Sequence, residues 1–93
     1  MIKISEYFDG AVKSLAYDSP EGRSSIGVIE KGEFEFGTST HETMIILEGE
    51  LEARLPGSED WKTFKKGQQF EVPAVQKFSV RTRMQTSYLC KYK

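Results

Sequence analysis

No segment of this chain carries a long apolar stripe at helical spacing. Apolar residues instead alternate with polar ones over short runs, and turn residues close each run. Glu33 to Thr38 alternates strictly, with Phe34 and Phe36 on one face and Glu33 and Glu35 on the other. Leu51, Ala53 and Leu55 alternate with Glu50, Glu52 and Arg54. Ser24 to Glu30 is rich in strand formers and is closed by Lys31-Gly32. Thr43 to Leu47 is a continuous apolar run, as expected for a strand buried on both faces or at an interface. Pro56-Gly57-Ser58 marks a loop. Trp61 to Phe64, Phe70 to Val72, Phe78 to Thr82 and Ser87 to Tyr92 complete the series. One helical turn is expected near Ile4 to Phe8. Many short strands with regular turns predict an all-β sandwich or barrel, and closure removes the exposed edges that a small sheet protein must hide.

Size and charge narrow the possibilities. Ninety-three residues suffice for one domain, 1–93. A chain this short buries only about two thirds of its unfolded surface, so self-association would help it. The net charge is −1 with both signs interspersed, which argues against nucleic acid as a partner, because phosphate neutralisation needs a clustered basic surface. No apolar run approaches the roughly 18 residues of a membrane span. Met1 to Glu6 has no secretory-signal pattern. The single cysteine, Cys90, has no intrachain partner, and a reducing cytoplasm is expected.

Side-chain alternation assigns faces to the candidate site residues. With Phe78, Val80 and Thr82 inward, Ser79, Arg81 and Arg83 point out. Glu42 shares a face with Met44 and Ile46. It is either a rim carboxylate paired with a nearby cation or a partly desolvated group whose pKa is raised toward the range useful for proton transfer. His41 is a loop residue unless a bulge turns it inward. With no second His and one Cys, a metal site is not expected. Gly22-Arg23-Ser24-Ser25 sets a planar five-donor cation beside hydroxyls, a candidate oxyanion cradle or else a surface turn. Thr38-Ser39-Thr40 is a second hydroxyl cluster. Tyr7, Phe36, Phe78 and Tyr88 either pack the core or line a cavity that stacks on a flat ligand. Cys90, on the same face as Tyr88 and Tyr92, reads as a small core residue. Lys65-Lys66 reads as a solvated turn.

Two spacings point to a family. Glu42, six residues, then Gly49, followed by Gly67, five residues, then Pro73, resembles the tail of the first and the head of the second cupin motif. Cupins build small jelly-roll-like β-barrels and usually hold a metal with three His and one Glu. Here Phe36 and Thr38, or Glu35 and Gly37, stand where a His pair falls. Phe78 stands where the last His falls, and Val75 replaces the Gly after the Pro. Glu6-Tyr7-Phe8, Gly10, Val12-Lys13-Ser14, Gly22-Arg23, Ser25 and Gly27-Val28 give a closer resemblance. So do Leu55-Pro56, Asp60-Trp61, Val72-Pro73 and Thr86-Ser87-Tyr88-Leu89-Cys90 with Tyr92. Together they resemble the bacterial pyrimidine/purine nucleoside phosphorylase family of small cupins over nearly the whole chain.

The resemblance implies metal-independent phosphorolysis of nucleosides to free base and ribose 1-phosphate, with broad base tolerance. No cofactor is implied, and inorganic phosphate is a co-substrate. A homodimer is the expected assembly. The residues assigned on this basis are Arg23, assisted by Ser25, for phosphate, and Glu42 for ribose or the leaving group. Tyr7, Phe36, Thr38, Phe78 and Tyr88 would contact substrate. A cupin that binds a small ligand without turnover is the alternative, favoured by Ala74-Val75-Gln76-Lys77, which departs from the family's Gly-His-Ser type of turn.

Overall fold

The computed structural model describes residues 1–93 and contains ten strands and no helix. In chain order they are β1 (Lys3–Tyr7), β2 (Val12–Ser19), β3 (Gly22–Ile29), β4 (Gly32–Gly37) and β5 (Glu42–Glu48), then β6 (Glu50–Arg54), β7 (Lys62–Lys65), β8 (Gln69–Val72), β9 (Lys77–Thr82) and β10 (Thr86–Tyr92). They form two antiparallel sheets, one ordered β1-β2-β3-β10-β5-β8 and the other β4-β9-β6-β7. This is the two-sheet, jelly-roll-like architecture that the strand pattern predicts.

The inner faces follow from alternation. Phe34 stands opposite Val80 and Phe36 opposite Phe78 in the β4–β9 ladder. Their neighbours Glu33 and Arg81 form an outer cross-strand pair. Val12 and Ile29 from the larger sheet meet Leu51, Ala53, Phe78 and Val80 from the smaller one in a single apolar core. On the outside, Arg81 makes a two-pronged hydrogen bond to the Glu52 carboxylate (3.0 and 3.2 Å), and its guanidinium lies 4.0 Å from the Trp61 ring centre.

The expected helical turn at Ile4 to Phe8 is not formed. Lys3–Tyr7 is instead an edge strand, whose backbone groups pair with Val12 to Ala16 of β2. An exposed segment with no apolar stripe has little to bury as a helix, whereas the edge of β2 offers it a ladder of partners.

Two turn positions show how the motif residues act. Gly49 sits at φ +87°, and a Cβ there would lie 2.6 Å from Thr86 Oγ1 and 3.0 Å from the Gln85 carbonyl. Behind it, the Thr82 hydroxyl donates to the Glu50 carbonyl (2.7 Å), and the Thr86 hydroxyl lies 3.2 Å from that of Thr82. Val75, where the cupin pattern has a glycine, adopts φ +57° nonetheless and is 79 % exposed. A β-branched residue held there costs on the order of 1–2 kcal/mol.

Val75→Gly should therefore raise stability by about 0.5–1 kcal/mol, after the added freedom of the unfolded chain is subtracted. Thermal unfolding should show a midpoint higher by roughly 2–8 °C. Gly49→Ala should lower stability by about 2–4 kcal/mol, because it meets both the φ restriction and the Thr86 contact.

Candidate active site

Two concavities of the chain are the most developed. The larger, about 560 Å³, lies on the outer face of the smaller sheet among Glu50, Glu52, Thr63, Arg81, Thr82 and Arg83. It is a polar groove with few apolar walls, and the Arg81 guanidinium in it is already held by Glu52 and Trp61. The second, about 360 Å³, is lined mostly by apolar side chains and lies between β4 and β9 of the smaller sheet and β2, β10 and β5 of the larger one. An apolar cleft with a few convergent polar groups is where a small organic ligand binds.

The two walls of this cleft differ. The smaller sheet contributes Phe36 from β4 and Phe78 from β9, whose rings stack with centres 5.7 Å apart. The larger sheet contributes Ser14, Glu42, Met44, Tyr88, Cys90 and Tyr92. Tyr7 and Phe8 close the cleft from the β1–β2 turn. The turn places Phe8 at φ +54° and Asp9 at φ +57°, which swings the Phe8 ring across to Phe34 (5.0 Å) and Phe36 (5.6 Å).

Glu42 is the first residue of β5 and stands opposite Tyr92 on one side and Val72 on the other. The Cys90 thiol donates to its Oε1 (3.4 Å). Burial raises the Glu42 carboxyl above its usual range, against which the Cys90 hydrogen bond acts in the opposite sense. Burial also pushes up the Cys90 thiol, with Glu42 adding to the effect. The phenols of Tyr88 and Tyr92 rise for the same reason, so both stay protonated. The polar groups of this wall are thus neutral donors and acceptors around one partly desolvated carboxyl.

Of the residues singled out from sequence, Tyr7, Phe36, Glu42, Phe78 and Tyr88 come together here. Three others do not line the cleft. Arg23 is exposed at the far end of the β2–β3 hairpin, 4.0 Å from Asp18. Ser25 is buried, and its hydroxyl is engaged by the Tyr92 hydroxyl at 2.8 Å, so it orients a wall residue. Thr38 is buried as a staple. Its hydroxyl donates to the Pro73 carbonyl (2.7 Å) and accepts from the Gln76 amide (3.0 Å), tying the β4–β5 loop to the Ala74–Gln76 turn. His41 faces Glu71 (Nε2 to Oε1, 3.2 Å) and is not part of the cleft.

Phe8, Ser14, Glu35, Ser39 and Tyr92 also line the cleft, beyond the residues expected from sequence. For Ser14 and Tyr92, the register with Gly27 and Glu42 would have identified them. For Phe8 the one local mark is Asp9-Gly10, which signals a turn but not where the ring reaches.

The usual cupin metal does not fit this donor set. Phe78 stands at the last of the ligand positions with its ring stacked on Phe36, and no three His, Cys, Asp or Glu side chains converge anywhere in the chain.

A sequence model of the family named Pyrimidine/purine nucleoside phosphorylase matches residues 2–92. A protein of that name from Pseudomonas syringae pv. tomato is 50% identical over 93 residues, all of both chains. One from Pseudomonas putida is 46% identical over 93 residues, covering 100% of this chain and 99% of its own. Among solved structures, a protein of unknown function from Vibrio parahaemolyticus superposes with a TM-score of 0.96 at 36% identity, covering 100% and 99% of the two chains. An RmlC-like cupin from Shewanella frigidimarina superposes with a TM-score of 0.73 at 16% identity, covering 99% and 83%, a likeness of fold. The cupin barrel, the aromatic cleft and the full-length match agree: the chain belongs to the pyrimidine/purine nucleoside phosphorylase family of enzymes.

Proposed function

We propose that this protein cleaves purine and pyrimidine nucleosides with inorganic phosphate, giving the free base and ribose 1-phosphate, without a metal or other cofactor. The observation that carries the reading is the two-walled cleft, in which stacked phenylalanines face a wall of neutral hydroxyls and the half-buried Glu42. The phosphate oxygen bonds to C1′ as the glycosidic C–N bond breaks. The leaving nitrogen takes the bonding pair and a proton. A carboxyl held protonated to a higher pH by burial suits that transfer, and Glu42 is the candidate donor. Rings that recognise a π-face rather than a hydrogen-bonding edge suit broad base tolerance.

No Lys or Arg lines the cleft. The candidate phosphate ligand is Arg23. It precedes Ser24, which pairs with Lys91 of β10, and the next residue of β10, Tyr92, pairs with Glu42. Arg23 and Glu42 thus lie on the two strands that flank β10. The exposed contact of Arg23 with Asp18 is weak enough to exchange for a phosphate. The same lack of a lining cation favours a second reading, a cleft that binds a nucleoside without turning it over.

The protein acts as a homodimer in the cytoplasm in this reading. Cys90 is unpaired, as a reducing compartment allows. Ile4, Leu15, Ile26, Leu89 and Ile45 form one cross-strand row on the outer face of the larger sheet, with the first three exposed. A two-fold pairing sets this row against its own copy and removes it from water. Ile26→Lys should halve the mass measured by light scattering, whereas an unchanged mass would place any dimer contact elsewhere.

Purified protein should release base from uridine, adenosine and inosine only when phosphate is present. Glu42→Ala should lower kcat by about 100-fold or more, and Arg23→Ala should raise the KM for phosphate while leaving that for uridine. Folded protein that binds uridine but releases no base would establish the second reading instead.

Glu42 also sets a pH dependence. Its native pKa is raised, so its contribution to stability is fully present below the unfolded value of 4.5 and is lost as pH climbs through the native value. Glu42→Gln should therefore melt at a higher temperature than the wild type at pH 8, and the gap should shrink as pH falls toward 4.5.

A further inference from the structure

Tyr88 is buried, with 7 % of its surface exposed, yet no protein group hydrogen-bonds its hydroxyl and that oxygen is not sealed off. In a buried phenol an unpartnered hydroxyl is costly unless something else fills the bond. The ring does not stand upright from β10. It lies over the neighbouring strand β3, across Gly27, its register partner. A Cβ at Gly27 would come within 2.5 Å of the ring Cζ and closer still to the hydroxyl oxygen. Real Cβ contacts do not approach that closely, so only glycine allows this ring position. The next residue in the same cross-strand row is Ser14 of β2, which also lines the cleft. Two hydroxyls therefore adjoin on the wall opposite Phe36 and Phe78.

We infer that Tyr88 is the pentose-binding residue of this site, and that Gly27 is its positioning residue. The glycine lets the phenol lie flat over β3, beside Ser14, where its hydroxyl hydrogen-bonds a sugar hydroxyl of the bound nucleoside while the base rests on the phenylalanine wall. The assignment rests on the nucleoside reading above and adds the direction in which the nucleoside lies. The phenol is suited to the role because burial keeps it protonated and uncharged. A neutral donor meets a neutral sugar without the desolvation cost of a charged one.

The test separates sugar from base. Calorimetric titration should give wild-type protein and Tyr88→Phe the same affinity for uracil. For uridine, Tyr88→Phe should bind about five- to tenfold more weakly. Gly27→Ala should weaken uridine binding at least as much, since it displaces the whole ring. Tyr88→Phe keeps the ring over Gly27 and carries the test whether or not Gly27→Ala folds. Unchanged uridine affinity in Tyr88→Phe, or equal weakening for uridine and uracil, overturns the assignment. Base release by the wild-type protein reads out the phosphorolysis separately: a wild type that binds uridine without cleaving it loses the reaction but leaves the sugar assignment open to the same titration.

Discussion

All six phenylalanines of the chain touch in one continuous relay, and the rest of the structure is arranged around it. Phe34 meets Phe8, Phe8 meets Phe36, Phe36 stacks on Phe78, Phe78 meets Phe70, and Phe70 meets Phe64. The relay runs through both sheets and the β1–β2 turn, so it supplies the packing between layers as well as closure at the side. Each such pair adds on the order of 0.5–1.5 kcal/mol beyond burial. Its member Phe78 also fills the place where a cupin would carry its last metal-binding histidine. Phe36 and Phe78 are thus shared between core and cleft: the packing that stabilises the barrel is the packing that gives the cleft its apolar wall.

The opposite wall follows a different rule. Glu42, Tyr88, Cys90 and Tyr92 are close together and partly or fully buried, and burial favours the uncharged form of each. A site built in this way is hospitable to neutral sugar hydroxyls and to a base that takes up a proton on leaving. It does not itself attract an anion. In the proposed reaction the phosphate must therefore meet its cation at the rim, and the exposed Arg23–Asp18 contact leaves that cation available.

What could be read from sequence depended on how each strand is buried. The strands β4 and β6 alternate clearly because one face meets a core and the other is more open to water. β2 went unrecognised because its inner positions include Ser14 and Ala16, which alternation does not mark as buried. β1 is mostly exposed, so only its pairing with β2 defines it. The aromatic candidates and Glu42 were legible because side-chain parity aims them inward. Arg23, Ser25 and Thr38 have suitable chemistry, but register decides their placement: a hairpin end, a hydrogen bond to Tyr92 and a loop staple. The Phe8 contribution depends on three consecutive residues at positive φ, Phe8, Asp9 and Gly10, of which only the Asp9-Gly10 turn signal is visible in the sequence.

The position of β10 in the larger sheet has a consequence for the birth of the molecule. β10 is the tenth strand made, yet it lies between β3 and β5 and is the only bridge between the β1–β2–β3 wing and the β5–β8 pair. During synthesis the first nine strands emerge with that seam open, and the edges of β3 and β5 unpaired. The larger sheet cannot join until β10 has been made, and the pairings of β10 with β3 and β5 are distant in sequence, which slows folding. The same strand brings Tyr88, Cys90 and Tyr92 to the cleft. The Tyr88–Tyr92 part of the cleft wall and the continuous sheet therefore come into being in one event, whereas the phenylalanine wall belongs to the other sheet and does not wait for it.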